Sequence, residues 1–179
     1  MLELPGYVEI GMDHPPLPED SLNRALQNGT LHRNFMGYSS SFTQVMIGLG
    51  VSSISDAWYA FAQNEKSVEI YTQKVMQEQE LPVVKGHLLN TEDLAVRQHI
   101  LNIMCRMNST WSNNGMQLPE IKAIRRRLQE MQRDGLLILH EDGLTVTEKG
   151  RPFVRNIAMA FDLRLLRNQP DTRIFSMTV

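Results

Sequence analysis

The sequence is poor in cysteine, since Cys105 is the only one among its 179 residues. A disulfide within the chain is therefore excluded, and the low count agrees with a reducing compartment. An iron-sulfur cluster normally takes three or four thiolates from its protein, so this chain cannot hold one by itself. Cys105 falls on the apolar face of a predicted helix, where we interpret it as a buried apolar side chain.

Long apolar runs are missing as well. The run at residues 45–50 is far shorter than the roughly 20 apolar residues that cross a bilayer, and Leu4-Pro5-Gly6 interrupts any signal-peptide core. The net charge of -2 and the pI near 6.2 give no general attraction to nucleic acid or anionic lipid. These features predict a cytoplasmic protein that does not insert into a membrane.

The usual catalytic and metal-binding motifs are also absent. There is no HExxH, GxSxG, Walker A or GxGxxG motif, so the sequence does not favour a conventional hydrolase or a nucleotide-hydrolysing enzyme. The five histidines have no metal-ligand spacing; they are His14, His32, His87, His99 and His140. His32 is the one of interest, because it lies in the unusual segment described below.

The N-terminal third has the rhythm of a parallel α/β unit. A short strand at residues 7–12 is followed by a helix that starts at Pro18 and stops at Asn28-Gly29, a polar loop at 30–41 and an apolar strand at 45–49. Two strands cannot form a stable parallel sheet alone. We therefore expect this region to be part of something larger, and uncovered strand edges would favour self-association.

Helical patterns dominate after residue 56. Segments 58–63 and 67–77 have helical spacing, residues 83–89 are extended, and Thr91 is the expected N-cap of a helix that ends near Met107. In the last third, a helix ending at Gly135, a hairpin around Asp142-Gly143 and a helix at 151–166 predict a winged-helix-like module at residues 117–166.

A basic run in that module raises the question of nucleic acid. Arg125-Arg126-Arg127 and Lys122 could contact phosphates, but acidic residues of the same helix, such as Glu130, partly neutralise them. We favour a solvated helix face over a DNA-binding surface.

Two segments carry the chemistry. They are GTLHRNFMGYSS at residues 29–40 and GLGVSSIS at residues 48–55. The first combines cationic, amide and aromatic groups between glycines, which suits a flat anionic ligand. The alternative is that Phe35 and Tyr38 only anchor a surface loop in the core.

These segments resemble the oxygen-independent coproporphyrinogen III oxidases. The resemblance continues in order through IGMDH at 10–14, AQNEK at 62–66, DGL at 134–136, VTEKGR at 146–151 and RNIAMAFD at 155–162. It implies an α+β, mainly helical fold. Residues 1–55 would be the last units of a radical S-adenosylmethionine (SAM) (β/α) barrel, and residues 56–179 a helical C-terminal domain that covers the barrel mouth.

The resemblance also implies a reaction and its cofactors. The complete enzyme would use S-adenosylmethionine and a four-iron, four-sulfur cluster to decarboxylate coproporphyrinogen III to protoporphyrinogen IX. Phe35 and Ile54 match residues of its cofactor region, and so does Met36, although glutamine is usual there. The CxxxCxxC cluster motif does not occur in this chain. We therefore expect no cofactor bound to the chain alone and no radical chemistry from it.

Other functions remain open. The related haem chaperones have an HNxxYW motif where this chain has His32-Arg33-Asn34-Phe35-Met36-Gly37-Tyr38, so the oxidases are the better match. A stand-alone porphyrin-binding or nucleic-acid-binding module is a further alternative from a different functional class.

Overall fold

The computed structural model describes Ile10, residues 17–111 and residues 118–167. The chain divides into two compact units, Met1–Arg97 and Gln98–Val179, and each is described by itself. The predicted strand at 7–12 lies outside the described residues except for Ile10, which is buried. Within the described ranges no helix is long and apolar enough to cross a membrane.

The first unit contains two small sheets and short helices. In chain order these are α1 (Ser21–Gln27), β1 (His32–Asn34), β2 (Gly37–Ser39), β3 (Ile54–Asp56), β4 (Ala60–Asn64), α2 (Val68–Thr72), a π-helical segment (Gln73–Glu78), β5 (Val83–Leu88) and the start of α3 (Thr91–Arg106). Strands β1 and β2 form a hairpin, and β3, β4 and β5 form a sheet in that order. The strand pairings in this described part are all antiparallel, whereas a parallel unit was expected.

Residues 32–39 form a hairpin where a loop was predicted. His32 pairs with Ser39 and Asn34 with Gly37, and the Asn34 side-chain oxygen accepts a hydrogen bond from the Met36 backbone N–H at 2.9 Å. Each strand is only three residues long, so alternation of polar and apolar residues had no room to reveal it. The loop prediction was wrong.

Two further predictions in this unit were wrong. Residues 45–49 are not a strand: Met46 makes an isolated bridge to Asp56, while Val45 and Leu49 are exposed. Residues 58–63 are not helical, because Trp58 has φ +64° in the tight connection before β4. An apolar run of five or six residues does not distinguish strand, helix and extended coil.

The start of α3 differs by one residue from its prediction. The Asn90 side chain accepts a hydrogen bond from the Asp93 backbone N–H at 2.9 Å, and the Asp93 carboxylate accepts one from the Asn90 N–H at 3.2 Å. This reciprocal pair has the arrangement of a capping box, so the cap is Asn90 instead of Thr91. The predicted helix itself is confirmed.

The second unit contains the rest of α3 and one sheet. Its further elements are β6 (Asn108–Thr110), α4 (Ile121–Arg133), β7 (Leu137–Leu139), β8 (Gly143–Val146), a 3-10 helix (Glu148–Phe153), α5 (Val154–Met159) and α6 (Leu163–Arg167). The sheet order is β6-β8-β7, with antiparallel pairing. The predicted helix before Gly135 and the hairpin after it are confirmed.

The core of the second unit is closed. Fully buried members are Ile103, Ile124, Leu128, Ile157 and Phe161, and Cys105 is buried as expected. The helix predicted at 151–166 is divided into a 3-10 helix, α5 and α6. Phe153, which ends the 3-10 helix, is exposed.

Candidate functional site

One face of the β3-β4-β5 sheet collects the predicted site residues and their neighbours. Ile54 pairs with Gln63, and Asp56 pairs with Phe61. Directly opposed residues of antiparallel strands project to the same side of a sheet. Ile54, Asp56 and Phe61 therefore share one face, which we call the site face.

Phe35 lies at the turn of the β1-β2 hairpin and contacts the site face. Its ring meets Phe61 edge to face, with ring centres 5.1 Å apart, yet 53% of Phe35 is exposed. The Met36 side chain is 84% exposed. The structure thus brings Phe35 to the sheet that carries Ile54, and it leaves the Met36 thioether at the surface.

Ile54 is fixed mainly through its backbone. Gly48 passes so close that a Cβ atom at that position would lie 2.8 Å from the Ile54 carbonyl oxygen, and the Gly48 N–H donates to the Ser55 hydroxyl at 3.0 Å. The glycine at 48 is required by this close approach. The cofactor-binding roles of Phe35, Met36 and Ile54 stay predictions.

Arg97, from α3, holds the centre of the site. Its Nη1 and Nη2 atoms donate to the two carboxylate oxygens of Asp56 at 2.9 and 2.7 Å, and Nη1 also donates to the Trp58 carbonyl at 3.1 Å. The Arg97 and Asp56 side chains are only 12% and 9% exposed. A nearly buried ion pair with two parallel hydrogen bonds fixes both side chains in one orientation.

Trp58 and Phe61 enclose the guanidinium group. The Arg97 Cζ atom lies 4.2 Å from the centre of the Trp58 ring and 5.2 Å from that of Phe61. Trp58 also donates its backbone N–H to Asp56 Oδ1 at 2.9 Å, and its φ of +64° is uncommon for a bulky residue. The hydrogen bonds to Asp56 and Arg97 hold this conformation in place.

His32 extends the aromatic surface. Its ring centre lies 4.9 Å from Phe42 and 6.4 Å from Trp58, and Phe42 and Trp58 are 5.2 Å apart. Partial burial and, secondly, the positive charge of Arg97 hold the pKa of His32 below its usual value, against the opposing effect of the Asp56 carboxylate. At neutral pH the imidazole is therefore uncharged, with one donor and one acceptor nitrogen.

The described residues fit one kind of expected cofactor and not the other. They contain no group of three side chains able to bind a metal, and Cys105, the single thiol of the chain, is buried in the second unit. The chain's own residues do not fit an iron-sulfur cluster. Phe35 and Ile54 offer apolar surface that fits a cofactor carrying a flat ring, while the Met36 side chain offers no strong hydrogen bond.

Three central residues were missed from the sequence: Asp56, Trp58 and Arg97. Asp56 and Arg97 are 41 positions apart, so no local spacing could connect them. Trp58 lies in a segment whose spacing predicts a helix. The one signal in the sequence was His32, which was singled out and does lie against Trp58.

Comparison with solved structures identifies the class of protein first. The chain superposes on coproporphyrinogen III oxidase from Escherichia coli, described as a radical SAM enzyme, with a TM-score of 0.81 and 36% identity over 89% of this chain and 38% of that one. The fold is therefore shared with part of a radical SAM enzyme. No protein-family model matches the chain.

Curated relatives are similar over nearly the whole of this chain. Oxygen-independent coproporphyrinogen III oxidase from Synechocystis is 34% identical over 97% of this chain and 39% of the relative. The protein of the same name from Thermostichus vulcanus is 37% identical over 97% of this chain and 54% of the relative. The chain is thus a homologue of these oxidases, as the sequence motifs predicted, and it spans about two fifths to one half of their length.

Proposed function

We propose that the chain forms the cofactor-closing and substrate-covering part of an oxygen-independent coproporphyrinogen III oxidase. The complete enzyme would oxidatively decarboxylate coproporphyrinogen III to protoporphyrinogen IX. The observation that carries the proposal is Phe35: its ring is held against Phe61 but stays half exposed, next to the sheet that presents Ile54. A ring fixed on one side and open on the other can stack on a flat heterocyclic ring of a ligand.

The proposal includes a division of labour. The cluster and S-adenosylmethionine supply electron transfer and the radical, and the chain's single cysteine cannot provide the thiolates for that step. This chain would contribute apolar and aromatic surface that excludes water from the reacting groups. It would be inactive alone.

We extend the proposal to the fold. Residues 1–55 would be a remnant of the barrel, and residues 117–166 would be a winged-helix-like module inside a helical domain at 56–179. The order α4, β7, β8 within residues 117–166 supports the second assignment, and β6, which precedes residue 117, completes the sheet in the order β6-β8-β7. Its role would be structural, because the basic helix α4 also carries Glu130.

A hybrid enzyme tests the functional proposal. The segment of the Escherichia coli enzyme that this chain matches is replaced by the 179-residue chain, and anaerobic conversion of coproporphyrinogen III is measured together with cluster absorbance. We expect measurable product, and a loss of roughly tenfold or more in Phe35→Ala, if the ring positions a ligand. Phe153→Ala, at an exposed phenylalanine of the second unit, is the matched control and should change the rate less than twofold.

Two outcomes contradict the proposal. A hybrid that carries its full cluster but forms no product would exclude the covering role. Iron reconstitution of the chain alone that yields a stoichiometric four-iron absorbance would refute its catalytic incompetence.

A further inference from the structure

The hydrogen bonds of Arg97 leave part of its guanidinium group available. Of its five N–H donors, Nη1 uses two, to Asp56 and the Trp58 carbonyl, and Nη2 uses one, to Asp56. Among the described residues nothing accepts a hydrogen bond from Nε–H or from the second Nη2–H. These two donors lie along the same edge of the planar group and point the same way.

Such an edge is a binding site for one kind of group. Two parallel N–H donors match the two oxygens of a carboxylate, which gives shorter and stronger hydrogen bonds than a neutral acceptor does. The Arg97 side chain is 12% exposed, and its Nε atom is not among the fully buried polar atoms that lack a partner, so this edge can be reached from solvent. A ligand carboxylate would replace water at these two donors with charge-assisted hydrogen bonds.

The rings around Arg97 restrict what can carry the carboxylate. Trp58 and Phe61 lie against the guanidinium group at 4.2 and 5.2 Å, and Phe35 continues this surface from Phe61 with an open face. His32 adds a neutral imidazole beside Trp58. The surroundings suit a carboxylate attached by a short apolar chain to a flat ring.

Asp56 opposes a second anion at Arg97. Its carboxylate already accepts three hydrogen bonds, two from Arg97 and one from the Trp58 N–H, which disperse its charge. Lys85 of β5 pairs with Gln63 of β4 and adds a positive charge to the site face. We therefore expect weak binding of a small carboxylate, with a Kd of about 1 mM, and tighter binding of a ligand that also stacks on the rings.

We propose that the free edge of Arg97, between Trp58 and Phe61, is a carboxylate-binding subsite for a ligand that also carries a flat heterocyclic ring. The inference rests on the proposed function, because it gives one carboxylate of the ligand a defined place beside Phe35. Both coproporphyrinogen III and S-adenosylmethionine carry carboxylates, so the chemistry is shared and the experiment must separate the two sources.

The test uses the whole chain and a matched pair of small probes. The Nε–H signals of the arginines are followed by ¹⁵N-¹H NMR while 3-phenylpropionate is added, and then its neutral amide, 3-phenylpropionamide. We expect the acid to shift the Arg97 signal and the amide to leave it in place. Arg125 is the internal control, because it also lies over an indole, that of Trp111, at 5.3 Å, but belongs to the other unit.

Competition then identifies the source of the carboxylate. Coproporphyrin III and S-adenosylmethionine are added in separate titrations to the chain saturated with 3-phenylpropionate. The compound that moves the Arg97 Nε–H signal away from its position in the 3-phenylpropionate complex is the ligand of the subsite. Arg97→Lys keeps the charge but loses the paired donors, and it should weaken that ligand by about tenfold. In a Trp111→Phe background, Trp58 emission shows whether Arg97→Lys retains the local structure. If it does not, the probe titration of the unaltered chain still decides the proposal.

The outcomes separate this inference from the proposed function. An Arg97 signal that ignores the acid, or moves equally with acid and amide, overturns the subsite. If coproporphyrin III still binds in that case, the proposed function is unaffected. If the Arg97 signal responds while the hybrid enzyme carries its cluster and stays inactive, the subsite holds and the covering role fails.

Discussion

The two units bury their apolar side chains to different extents. The second unit has a continuous core of fully buried residues, including Ile124, Leu128 and Phe161. Of the large apolar side chains that are exposed among the described residues, only Ile138 and Phe153 belong to it. The first unit has a nearly buried ion pair at its centre and many exposed apolar residues.

We expect this difference to separate effects on stability from effects on ligand binding. A closed apolar core stabilises a fold but offers no surface to a ligand. The first unit instead fixes an arginine, a tryptophan in an uncommon backbone conformation and a half-exposed phenylalanine around one sheet face. Strained or polar features that a fold holds in place are typical of binding sites. The contrast leads us to expect large core effects in the second unit and ligand effects in the first.

The largest expected effect tests the core of the second unit with one residue type. Leu128→Ala removes a fully buried side chain and should lower the free energy of unfolding by about 4 kcal/mol, because a cavity remains. Leu88→Ala is the control: Leu88 is 82% exposed, and its change should stay within about 0.5 kcal/mol. Urea unfolding followed by circular dichroism measures both. Equal losses for the two leucines would remove the contrast between the units.

A smaller effect is expected from the ion pair of the first unit. Asp56→Asn keeps the shape of the side chain but leaves the Arg97 charge nearly buried and uncompensated. We expect a loss of about 3 kcal/mol, at the low end for a broken buried pair because some solvent access remains.

The measurement can be confined to the first unit. In a Trp111→Phe background, Trp58 is the remaining tryptophan and its emission reports unfolding next to Asp56. Glu130→Gln, on exposed helix surface of the second unit, also removes one negative charge and should leave this transition in place. An unchanged midpoint in Asp56→Asn would mean that the ion pair does not fix the site.

The same contrast explains what could be predicted from the sequence. In the second unit the stripe of Ile124 and Leu128 and the turn at Asp142-Gly143 obey local periodicities, so helix α4 and the β7-β8 hairpin were predictable. In the first unit the three-residue strands are too short for any period. The geometry there depends on Asp56 meeting Arg97, 41 positions away.

The resemblance of the motifs indicated similarity to the oxidases even though local patterns did not predict the fold of the first unit. It identified only some of the residues on the site face. It pointed to Phe35 and Ile54, which lie on or against the site face. It gave no indication of Arg97 or Trp58, because helical patterns describe which face is apolar and do not reveal a distant carboxylate. Tertiary pairing between separate elements is the information that local sequence patterns lack.

The smallest expected effect concerns the charge of His32. Its pKa is held below the usual value of about 6.5 by burial first and by Arg97 second, with Asp56 acting in the opposite direction. As the pH falls below about 6.5, His32 binds a proton more readily in the unfolded chain than in the folded chain. This residue therefore makes the stability fall as the pH decreases. Above that pH both states are neutral, and the residue contributes no pH dependence.

The two variants of the ion pair should move this pKa in opposite directions. In an NMR titration of the His32 ring protons, Arg97→Gln should raise the pKa toward its usual value, because a nearby positive charge is lost. Asp56→Asn should lower it further, because a nearby negative charge is lost. His32→Gln supplies the assignment and should remove the associated fall in stability at acidic pH. An unchanged pKa in both variants would show that burial alone sets the charge of His32, and that the ion pair does not act on the aromatic side of the site.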